Sequence, residues 1–92
     1  MFIASLAFSQ THIYKLEIMD AAYADVRKEA DRALTAIFDV SPIYNELSQT
    51  FTVKSDVEIS QTDLENKMSN LGFNLISYSR DEIFIKSELE NN

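Results

Sequence analysis

The feature that most constrains this chain is the repeated switch of its apolar spacing between a period of two and a period of about 3.6 residues. Tyr14, Leu16 and Ile18 alternate with Lys15 and Glu17, which predicts a strand over residues 12–19. The spacing then changes. Ala22, Val26, Ala30, Ala33 and Ile37, with Leu34 and Phe38 beside them, predict a helix over residues 21–38. Asp20 stands where a side-chain oxygen would cap that helix, and Ser41-Pro42 ends it. Asp25, Arg27, Lys28, Asp31 and Arg32 fill its solvated face.

Two short alternating stretches follow, residues 43–47 and 50–55, and read as an antiparallel hairpin with Phe51 and Val53 on one face. Ser60-Gln61-Thr62-Asp63 has the form of a capping box with Asp in the Glu position. Leu64, Met68 and Leu71 continue at helical spacing, and Gly72 sits where a helix closes in a left-handed residue. Residues 73–78 predict another strand and residues 83–85 an extra C-terminal one. Between them Ser79-Arg80-Asp81-Glu82 reads as a turn, and residues 87–92 form an acidic tail. The order strand, helix, strand, strand, helix, strand predicts an α+β domain over residues 11–86. It is the ferredoxin-like βαββαβ sandwich, with two helices on one face of an antiparallel sheet.

Composition narrows the chemistry. The chain has 92 residues, enough for one small domain, and its 8 basic and 15 acidic side chains give a net charge of -7. That sign disfavours nucleic acid and polybasic attachment to anionic lipid. There is no cysteine, one histidine and one glycine. Thiolate metal sites, multi-histidine clusters within one chain and glycine-rich phosphate loops are thereby excluded. No nucleophile, base and oxyanion donor assemble in the sequence, which points away from an enzyme.

Residues 1–10 are uncharged and mostly apolar, too few to span a bilayer as a helix, and end in Ala7-Phe8-Ser9 before Gln10. This is either the remnant of a secretory leader or an N-terminal arm packed on the domain. A leader would make the protein exported or periplasmic; an arm would leave it cytoplasmic.

Residues 15–18, 32–40, 52–54, 59–64 and 70–73 together resemble the heavy-metal-associated domain of copper chaperones and metal-transporting ATPases. The resemblance implies the same sandwich, with a soft-metal site Met-x-Cys-x-x-Cys between first strand and first helix. Its methionine position falls on Ala21 and its cysteine positions on Tyr23 and Val26, so the thiolate site is absent here. The remaining candidate ligands near that loop are Asp20, Met19 and His12, the last expected on the surface. Tyr23 beside Phe73 forms either an interaction patch or, the favoured expectation, a seal over the core. No cofactor is implied. The expected function is a non-catalytic binding or protein-interaction module, with weak metal handling through non-cysteine ligands as the alternative. The expected partner is a protein, with a homodimer through an edge strand as one form.

Overall fold

Alternation along the first strand decides where the core lies. The computed structural model describes the backbone of residues 8–86 and the side chains of residues 11–82. Strand β1 spans Phe8–Ile18, helix α1 Ala24–Phe38, β2 Ile43–Asn45, β3 Thr50–Ser55, helix α2 Gln61–Asn70 and β4 Leu75–Lys86. The sheet is antiparallel throughout, in the order β2-β3-β1-β4.

On β1, Tyr14, Leu16 and Ile18 are buried, as are Phe51 and Val53 on β3. Directly opposite residues share a face: Tyr14 pairs with Val53, and Leu16 with Phe51. Ala30, Leu34 and Phe38 of α1, with Leu64 and Met68 of α2, complete the same buried cluster, so both helices cover that face. Lys15 and Lys54 lie exposed on the other face.

At the centre, the Tyr14 ring packs on Phe38 at 4.6 Å between centroids. Its hydroxyl donates to the Val57 carbonyl at 2.6 Å and accepts from the Ile59 N–H at 3.1 Å. Ser55 Oγ donates to the Phe38 carbonyl at 2.8 Å, satisfying a helix end that would otherwise be buried unpaired. These bonds pin the loop between β3 and α2 against the sheet.

Helix α2 begins where its sequence signal lies. Ser60 Oγ accepts from the Asp63 N–H at 3.2 Å. It closes with a Schellman pattern, Phe73 N–H to Met68 carbonyl and Gly72 N–H to Ser69 carbonyl. Gly72 has φ +92°, which explains why the chain's one glycine stands there.

Four expectations are corrected. Helix α1 starts at Ala24, not residue 21, because Asp20 takes a left-handed φ of 68° and its carbonyl accepts the Tyr23 N–H in a tight turn. Asp20 therefore does not cap the helix; Tyr23 occupies that position without a side-chain cap. Strand β1 extends back to Phe8. Among the described residues there is no separate C-terminal strand: Ser79-Arg80-Asp81-Glu82 is the middle of one continuous β4, paired in turn with Lys15, Tyr14, Ile13 and His12. That stretch contains no Gly, Pro or Asn to force a turn, and its charges are accommodated by alternation and ion pairing. The acidic tail and residues 1–7 of the N-terminal segment lie outside the described residues.

Leu34 and Leu64 are both fully buried. Leu34→Ala and Leu64→Ala should each lower unfolding stability by about 2–5 kcal/mol in denaturant titration. Wild-type midpoints would contradict this packing.

Candidate functional site

The sheet register brings three loops to one end of the molecule. The end of β1 pairs with the start of β3 through Leu16 and Phe51, and with the start of β4 through Ile18 and Leu75. The β1–α1, β2–β3 and α2–β4 loops therefore emerge together. They are tied to each other: the Met19 N–H donates to the Asn74 carbonyl at 2.9 Å, and Asn74 Nδ2 approaches Met19 Sδ at 3.8 Å. A small cleft of about 280 Å³ lined by Ala22, Arg27, Tyr44, Glu46 and Gln49 joins the first loop to the second.

Large apolar side chains stand in water at this end. Met19 is 47% exposed, Tyr23 64%, Leu47 99% and Leu71 57%. Each loop holds its residue outward for a local reason. Asn45 Oδ1 accepts the Leu47 and Ser48 N–H groups, closing an Asx turn that projects Leu47. The Schellman closure of α2 leaves Leu71 at its rim. The left-handed Asp20 turns the chain so that Tyr23 begins α1 facing solvent, where the expectation was a seal over the core. Within this loop the buried residue that joins the core is Ala21.

Beside the loop end, an open groove of about 800 Å³ runs between α1 and the close of α2. Val26, Ala33, Leu71 and Phe73 give it an apolar floor; Asp25, Lys28, Glu29 and Arg32 give it a mixed charged rim. Val26 and Phe73 thus share one groove, whereas Tyr23 stands outside its lining. Arg27 reaches back over the Tyr44 ring at 5.0 Å, with Nη1 close to the Ala21 and Ala22 carbonyls.

The sequence-derived ligand candidates separate. Met19 and Asp20 are neighbours in the β1–α1 loop, but His12 lies seven strand residues away, about 23 Å at the usual rise. His12 is buried, at 2% exposure, not on the surface. Facing the helix side, it pairs with Ser55 on β3 and Glu82 on β4, and that register is what burial follows. Its Nδ1 lies 3.7 Å from Glu82 Oε2, and Arg80 bridges the same carboxylate and Glu58 at 3.6 and 3.7 Å. Among the described residues no group of three or more His, Asp and Glu side chains is placed to hold a metal ion, and no helix is long and apolar enough to cross a membrane. Comparison with protein-family models, curated proteins and solved structures finds no match.

Burial raises the Tyr78 hydroxyl above its ordinary range against the opposing pull of Arg80, and this hydroxyl donates to the Ile59 carbonyl at 2.8 Å. The unfolded chain therefore loses this proton at lower pH than the folded one. Stability from the group is present below pH of about 10 and falls as pH rises beyond it. Wild type should exceed Tyr78→Phe by about 1 kcal/mol at neutral pH. The gap should narrow in alkaline denaturation series; a gap constant with pH would contradict the assignment.

Proposed function

We propose that this chain is a non-catalytic protein-interaction module on a ferredoxin-like scaffold, docking its partner through the three-loop end. The scaffold reading is supported by the βαββαβ element order and the strand order β2-β3-β1-β4. It is supported as well by the sequence resemblance to heavy-metal-associated domains, with Tyr23 and Val26 at the thiolate positions.

One observation carries the functional reading. Met19, Tyr23, Leu47 and Leu71 come from three separate loops, yet the fold exposes all four at one end. Single exposed apolar residues are ordinary; a group of them on adjoining loops marks a surface that is covered in use. Exposed polar Asp20, Glu46 and Ser48 stand beside them along the same loops, the residue type that interfaces carry at their rim. The loops are held by the packed sheet and by the Met19–Asn74 bond, so little ordering cost falls on binding.

A photo-crosslinking residue placed at Tyr23 or Leu47 in the intact protein should capture one discrete protein species in cells. The same residue at Ser41, exposed at the opposite end, should not. Equal capture from all three positions, or none from the loop end, would refute the proposal. The exposed pair Tyr23→Ser and Leu71→Ser should shift unfolding stability by only about 0.5 kcal/mol each while abolishing capture from position 47.

A further inference from the structure

Strand β4 runs Leu75–Lys86 at one edge of the sheet, with β1 on one side and no strand on the other among the described residues. Its length is unusual for an edge, since long unpaired edges template pairing with another chain. Strand β3 stops at Ser55, opposite His12, so beyond that point β1 and β4 continue as a two-stranded ribbon. Such a ribbon gains stability from a third strand.

We infer that β4 pairs antiparallel with β4 of a second copy, across a two-fold axis at Asp81. Opposite residues in an antiparallel pair share a face, and an axis perpendicular to the sheet keeps the helices of both copies on one side. Two such registers align nearly the full strand. Centring on Arg80 sets Arg80 against Arg80; centring on Asp81 sets Arg80 against Glu82 twice and pairs Ile76 through Lys86. Centring one residue further, on Glu82, sets Glu82 against Glu82; centring on Ile83 sets Arg80 against Lys86. Of these four registers only the Asp81 one exchanges opposite charges, at the cost of one Asp81–Asp81 opposition on the other face. The three consecutive charges Arg80, Asp81 and Glu82, which protect an edge against indiscriminate pairing, thus select one register with an identical strand. The partner is a second copy of this chain, forming a continuous eight-stranded sheet that leaves the loop end free.

The absence of native cysteine makes the test direct. Cross-strand neighbours at the axis have Cα atoms about 4.5–5.5 Å apart, within disulfide reach. Asp81→Cys in the full chain should form an interchain disulfide under mild oxidation. Ser79→Cys, separated from its own copy by about 13 Å in this register, and Ser41→Cys should not. In sedimentation, the wild type should self-associate to a dimer. Asp81→Asn, which removes the like-charge opposition, should tighten dissociation about threefold or more, and Arg80→Glu should weaken it at least as much, with circular dichroism confirming that both fold. A wild type monomeric at all concentrations, or a disulfide forming as readily at position 41 as at 81, would overturn the dimer. Preferential crosslinking at 79 would overturn the register. None of these outcomes depends on the loop-end proposal.

Discussion

Everything in this fold hangs on the side chain of Tyr14. It sits fully buried at the middle of β1, the strand flanked by β3 and β4. Its ring contacts Phe38 at the end of α1, and its hydroxyl holds both Val57 and Ile59 in the loop leading to α2. A phenol buried with both its donor and acceptor roles filled avoids the cost of an unsatisfied polar group. One residue thereby connects sheet, first helix and second helix, and Tyr78 reinforces the connection through the Ile59 carbonyl. With the helical ends of the layers fixed in this way, the opposite end is free to present loops.

That division bears on the apolar exposure at the loop end, though Ile43 and Val57 at the opposite end are exposed as well. At the end where α1 stops and α2 begins, backbone groups are tied down by Ser55, Tyr14 and Ser60. At the other end the loops close through turns that need no apolar cover, an Asx turn at Asn45 and a Schellman closure at Gly72. Met19, Tyr23, Leu47 and Leu71 lie outside the buried core there, and their shared exposure is what supports the proposed docking surface. The β4 edge is a second surface, distinct in chemistry. It offers backbone groups and a charge pattern, whereas the loop end offers apolar area.

Features governed by neighbouring residues were legible in the sequence. The Ser60 cap, the Gly72 closure and the helical spacing of Leu64 and Met68 each depend on a few contiguous residues. Features set by register were not. Residues 79–82 look like a turn because three of four are charged, yet pairing with β1 holds them extended. His12 looks like a surface residue at a strand start, and it is buried because β1 begins earlier and places it opposite Ser55 and Glu82. The β1–α1 turn is the local exception: Asp20 reads as a helix cap, but its left-handed conformation starts α1 at Ala24 and leaves Tyr23 exposed. Register also hid the loop-end cluster, since residues 19, 23, 47 and 71 meet only through the strand order.

On the proposed function, a rigid Tyr14-centred core carries a docking surface on three loops. Amide hydrogen exchange of the chain, alone and with its captured partner, tests it most directly. New protection should be confined to the β1–α1, β2–β3 and α2–β4 loops, with the slow core amides of β1 and β3 unchanged. Protection appearing instead on the α1–β2 and β3–α2 loops would contradict it.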